Sequence, residues 1–221
     1  MARRILSALL IFIGLAIILY PLGRGYYIDY QQNRLIAEWE KTSQVLVPEV
    51  PVIEATEPDN EAEELARKKE REAQEKERQE YIAKHMEGIL IIGKINLSLP
   101  ILTGTSDKNL LIAAGSLEST GKAGEVGNYA IAGHRNYGYG RHFNRLDELE
   151  AGDMIKVETS NAEFYYEVRE KLYVLSEDVW VLESGRTESE ITLITCHPVE
   201  NPTHRLIIKG VLSGGQGLSD D

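Results

Sequence analysis

The chain holds a single cysteine among 221 residues, so no disulfide can form within it. Thiolate-rich zinc sites, which need two or more such ligands, are excluded on the same ground. Positive charge is also scarce: 24 Lys and Arg stand against 35 Asp and Glu, a net charge of −11. That balance argues against nucleic acid as a partner, because phosphate binding needs clustered basic side chains. The glycine-rich stretches fit neither a dinucleotide-binding nor a phosphate-cradling loop. Long hydrophobic runs are rare as well. One begins at Ile5 and continues to Leu22, broken only by Ser7, Gly14, Tyr20 and Pro21.

A helix of about 17 to 25 apolar residues spans a bilayer, so this run reads as a membrane helix near the short end of that range. Arg3 and Arg4 precede it and should stay cytoplasmic, which places everything after Leu22 outside. No A-x-A-like cleavage site follows, so an uncleaved single-pass anchor in the cell membrane is expected in preference to a cleaved signal peptide. The expected order is a cytoplasmic N-terminus (1–4), the anchor (5–22), a linker and stalk (23–87), a folded domain (88–213) and a flexible tail (214–221).

Within the linker, Gly23 to about Gln44 is mixed, with a short helix expected around Trp39. Pro48, Pro51 and Pro58 then impose an extended segment. From Glu61 to His85 strong helix formers dominate, and Glu63→Arg67, Glu64→Lys68, Glu72→Lys76 and Glu80→Lys84 are acid-before-base pairs at i,i+4. Apolar positions are too few for a coiled coil. A solvated single helix about 37 Å long at 1.5 Å per residue is expected, with a charged disordered linker as the alternative. Either would serve as a spacer.

After Gly88 the period changes to two. GILIIGKI, LSLPILTG, NYAIAGH, MIKVET, EFYYEVREKLYVL, EITLITC and HRLIIKGVL read as strands. Only SDKNLLIAAG and RHFNRLDEL read as helical. Seven or eight strands with few helices point to a mostly β domain, a closed barrel or a sandwich.

The lone cysteine, Cys196, ends one such run. A nucleophilic cysteine requires its thiolate, favoured by a histidine or a nearby cation, and the oxyanion it generates requires a fixed donor. Of the five histidines, His85 lies in the stalk and His142 in a possible helix, where it would cap or pack. His197 adjoins Cys196, but neighbouring side chains in an extended chain point to opposite faces. His204 alternates with Arg205 in the same way. His134 ends its run as Cys196 ends its own, so the two can meet at a barrel rim. Arg205, opening the run after a short loop, could supply a two-pronged donor. The alternatives at this stage are a buried inert thiol, a surface histidine and a solvated edge arginine.

TLITC (Thr192 to Cys196), NYAIAGHR and HRLIIKG together resemble the sortases, cell-wall transpeptidases of Gram-positive bacteria. The likeness covers roughly Gly88 to Leu212, and the anchor–spacer–domain arrangement agrees with it. It implies an eight-stranded barrel with one or two short helices and a two-step acyl transfer. In that transfer Cys196 attacks the threonine carbonyl of an LPXTG-like sorting signal on a secreted protein. His134 handles protons, and Arg205 stabilises the oxyanion or positions the peptide. The acceptor implied is a peptidoglycan cross-bridge amine. Thr195 resembles a family position near the bound signal and is a possible substrate contact.

Some sortases bind calcium, but here only Glu118 and Glu125 are acidic, while Ser119, Lys122 and Val126 fall where ligands would align. No metal, cofactor or calcium dependence is expected. Neither the second anchor nor the Asp-Pro-aromatic lid of pilus-type sortases is found, which favours class A or class D-like protein anchoring. The competing functions are an extracellular cysteine peptidase or amidase with water as acceptor, a pilus-type sortase, and a non-enzymatic tethered binding module.

Overall fold

In the computed structural model, residues 2–43, 61–135, 142–185 and 187–217 are described. Period-two alternation from Met86 onward produces eight strands: β1 (Met86–Ile92), β2 (Leu97–Thr103), β3 (Ala114–Ser116), β4 (Gly127–Ala132), β5 (Met154–Glu158), β6 (Ala162–Leu175), β7 (Ser189–His197) and β8 (His204–Gly217). They close in the order β1-β2-β3-β4-β7-β8-β6-β5, a barrel without an open edge. β2 pairs with β3, and β4 with β7, in parallel.

Alternate residues fill the interior: Tyr129 and Ile131 from β4, Ile191 and Leu193 from β7, Leu206 and Ile208 from β8. Each large apolar side chain so buried contributes roughly 1.5–3 kcal/mol relative to exposure, which makes the alternation binding on register. A second apolar cluster lies on the outer face, where Val174 and Ile207 pack with Val181 of a 3-10 turn, Val179–Leu182.

The helical expectations inside the domain need correction. SDKNLLIAAG holds only a short helix, Asp107–Ile112, whose N-terminus Ser106 caps by accepting from Asn109 N at 3.3 Å. Its last residues form β3 instead. A Cβ on Gly115 would stand 2.5 Å from the Gly104 carbonyl oxygen, so two backbone segments approach where only glycine fits. RHFNRLDEL contracts to a 3-10 turn, Leu146–Glu148. His142 has φ of 47°, outside the right-handed helical region, and Phe143, Leu146 and Leu149 are all drawn into the core.

The N-terminal part also differs from expectation. One helix, α1, runs Ala2–Ser43, so the segment read as mixed is helical. The reason is tertiary: Leu35 and Trp39 are buried against Ile82, Met86, Ile89, Leu102 and Ala113. An Arg34–Glu38 bond at 2.8 Å supports the same turn. A second helix, α2, spans Glu61–His85 as expected. Lys68 to Glu70 are exposed, and Lys76 pairs with Glu80 at 3.9 Å, yet Ile82 is buried in the α1 contact and Tyr81 donates to Asn109 Oδ1 at 3.0 Å. The described side chains from Lys68 to Glu80 are therefore solvated, and the end of the helix is docked. Among the described residues no helix is long and apolar enough to cross a membrane. Most side chains of the apolar run 5–22, on which the anchor expectation rests, lie outside the described residues. So do the proline segment 48–58 and the last residues of the tail, 218–221.

Candidate active site

Two ladders bring the chemistry-bearing residues together. β4 and β7 run in register from Gly127↔Ser189 to Ala132↔Ile194, and the Gly133 N–H extends the ladder by donating to the Ile194 carbonyl at 3.0 Å. The next residue along, His134, thereby leaves β4 beside Cys196. On its other side Cys196 is the direct cross-strand partner of Arg205. Opposite residues in such a pair have Cβ atoms about 4.5–5.5 Å apart.

Parity decides the face. Residues 191 and 193 point inward with Leu206 and Ile208, so Cys196 and Arg205 share the outer face with Ile194 and Ile207. His134 belongs to the same set, because Tyr129 and Ile131 point inward. All three are half-buried, held by the barrel yet reachable. His197 and His204 pair with each other on the opposite face. His142 is buried, its Nε2 3.2 Å from Gln32 Nε2 of α1.

Three contacts fix His134. Its carbonyl accepts from Phe143 N at 3.1 Å, closing the intervening loop. Beneath it, Gly133 lies flat on the Phe143 ring: a Cβ there would meet Cδ2 at 2.7 Å. The Gly133 carbonyl accepts from Thr195 Oγ1 at 2.7 Å. Thr195, a possible substrate contact by sequence, is 2 % exposed and gives its hydroxyl proton to that carbonyl. The structure thus ties Thr195 to the backbone under His134.

The inner face carries its own polar group. Arg135 Nη1 lies 2.8 Å from His197 Nδ1, and Nη2 is 2.9 Å from Asp147 Oδ1. The His197 ring stands 4.5 Å from that of Tyr173. Burial, and then the Arg135 guanidinium, push the His197 pKa below its ordinary 6.5. All Arg nitrogens are donors, so Nδ1 accepts and His197 is neutral with its proton on Nε2.

Away from Cys196 the outward side chains of β4 are small, Ala130 and Ala132, and the 3-10 turn Val179–Leu182 packs on the same side of the barrel against Ile194 and Ile207. Asn128 pins that turn, donating to the Leu182 carbonyl at 3.0 Å and accepting from Thr192 Oγ1 at 2.8 Å. Beyond lies a cleft of about 620 Å³ lined by Leu117, Glu118, Leu182 and Glu183 among others. Among the described residues no three His, Cys, Asp or Glu side chains converge to hold a metal ion.

The family model for the sortase domain matches residues 90–213, more than half of the chain. The chain belongs to the sortase family. The chain is 33 % identical over 131 residues to Sortase A of Bacillus anthracis, covering 59 % of this chain and 61 % of that protein. To Sortase D of Bacillus subtilis (strain 168) it is 35 % identical over 126 residues, covering 56 % and 62 %. These matches span about three fifths of the relatives' own length. Among solved structures, the SrtA sortase from Actinomyces oris superposes with a TM-score of 0.56 at 32 % identity, covering 62 % of this chain and 84 % of that one.

Asn128, Arg135 and His197 were not singled out as parts of the site from sequence. A signal for the last two existed: each stands one residue beyond His134 or Cys196, at the same 62-residue separation.

Proposed function

We propose that this sortase is a membrane-anchored transpeptidase that cleaves LPXTG-like sorting signals between Thr and Gly. It joins the new carbonyl to a peptidoglycan cross-bridge amine. The Cys196 thiolate bonds to the threonine carbonyl carbon, and the displaced electron pair moves onto oxygen, where the Arg205 guanidinium stabilises it. Collapse breaks the Thr–Gly C–N bond as His134 gives its proton to the departing amine, leaving a thioester. The acceptor amine then passes a proton to His134, attacks the thioester carbon and releases the Cys196 thiolate. Thr195 acts here by fixing the Gly133 carbonyl rather than by touching the peptide. The apolar run 5–22 holds the domain at the outer surface of the cell membrane.

The observation that supports this most is register: Cys196 directly opposite Arg205, and His134 at the adjacent strand end, all on one face. The test is to incubate the domain with an LPXTG peptide and an amine and to follow the products by mass spectrometry. A joined peptide–amine product is expected; cleavage alone would make the protein a peptidase or amidase with water as acceptor.

A further inference from the structure

Arg135 and His197 repeat, on the inner face, the pairing that His134 and Cys196 make on the outer one. The last backbone bond between the two chain segments, among the described residues, is Gly133 N to the Ile194 carbonyl. Past that point the backbone ladder ends, and the Thr195 hydroxyl donates to the Gly133 carbonyl at 2.7 Å. Beyond His134 and Cys196 themselves, the tie is between side chains: Arg135 Nη1 to His197 Nδ1 at 2.8 Å.

This tie is braced on both sides. The Arg135 side chain is 5 % exposed; its Nη2 meets Asp147 Oδ1 at 2.9 Å and its Nε donates to the Asn144 carbonyl at 3.4 Å. Lys171 of β6 donates to the Asp147 carbonyl at 2.8 Å, and Tyr173, two residues on, supports the His197 ring. One planar cation thus links the strand end after β4, the end of β7, and the 3-10 turn Leu146–Glu148. Lysine could not reach three acceptors from one rigid fork.

The geometry points to a latch. Arg135 and His197 are positioning residues that hold the strand ends bearing His134 and Cys196 at one spacing, an inference that rests on the transpeptidase reading above. The latch touches neither peptide nor amine. Its loss lowers the rate of thioester formation and leaves peptide binding largely alone, because a displacement of about 1 Å between reacting groups can cost up to about 100-fold in rate.

Two substitutions at one position separate this from a packing role. His197→Phe keeps an aromatic ring against Tyr173 and removes the acceptor, whereas His197→Asn keeps an acceptor and removes the ring. The expected result in the full chain is a kcat about 10- to 100-fold lower for H197F with KM within about twofold, and recovery to within about threefold in H197N. Arg135→Gln, checked for folding by circular dichroism, should match H197F. Wild-type kcat in H197F, or equal losses in H197F and H197N, would overturn the latch.

A second readout does not depend on transfer. The pH profile of Cys196 alkylation by iodoacetamide should shift in H197F and R135Q but not in H197N. If the wild type joins no peptide to an amine while that pattern holds, the transpeptidase reading fails and the latch stands. If the wild type transfers normally and all profiles coincide, the latch fails and the reading stands.

Discussion

The outer and inner faces of the same strand ends carry opposite kinds of polar chemistry. Outside, His134, Cys196 and Arg205 are half-buried and neighbours by register. On the other face Arg135 bonds to both His197 and Asp147, Tyr173 stands against the His197 ring, and Lys171 donates to the Asp147 carbonyl. A pleat turns each consecutive pair of residues, 134/135 and 196/197, to opposite faces, so that one member takes the role proposed in transfer and the other joins the Arg135–His197 contact. Reactivity here depends on keeping polar groups accessible to a substrate, and positioning depends on leaving none unsatisfied.

Substitutions should separate the two faces. The largest effect is expected from Cys196→Ala, with transfer falling by at least about 1,000-fold while the melting temperature stays within error, since the outer face carries chemistry more than stability. His134→Ala should abolish transfer likewise, whereas His204→Ala, on the other face, should weaken it far less. Comparable losses at 134 and 204 would erase the distinction between faces.

Gly133→Ala should affect both faces at once. The added methyl meets the buried Phe143 ring at 2.7 Å, so about 1–3 kcal/mol of stability should be lost in urea titrations, together with most of the activity of the displaced His134. Thr195→Val sharpens the comparison from beneath. It deprives the Gly133 carbonyl of its donor, and a loss of about 1–3 kcal/mol with KM for the peptide unchanged is expected. A raised KM at unchanged stability would instead make Thr195 a substrate contact.

The smallest effect is that of pH on the inner face. Burial and Arg135 lower the His197 pKa, so the unfolded chain binds the proton more readily than the folded one. The contribution of neutral His197 is therefore fully present above about pH 6.5, its unfolded value, and is lost as pH falls through the lower folded value. Arg135 and His204 oppose the charged form, Asp147 favours it, and Tyr173 faces the ring without titrating in this range. Thermal melts between pH 7.5 and 5 should show a decline that H197N lessens.

Much of the barrel was legible because its signal is local. Alternation in EITLITC and HRLIIKG sets inward and outward residues whatever the partners are, and it separated His197 and His204 from Cys196 in advance. β3 was not legible, because three small residues at the end of a helix-like run, Ala114 to Ser116, carry no period; their strand state comes from β2 and β4 on either side. The second half of α1 was read as mixed for a related reason: Leu35 and Trp39 acquire their meaning only against Ile82 and Leu102. Resemblance places Thr195 near a substrate as a possible contact, whereas its hydrogen bond needs Gly133, 62 residues away.

Residue order alone determined the alternation, the outward parity of the cysteine and its candidate partners, and the family pattern that they carry. Tertiary structure alone decided that His134 and Arg205 flank that cysteine, that α1 docks on the barrel, and that Arg135 meets His197. The division has one physical cause. Which way a side chain points follows from its neighbours one bond away, but what it meets there is set by strands closing a barrel across many tens of residues.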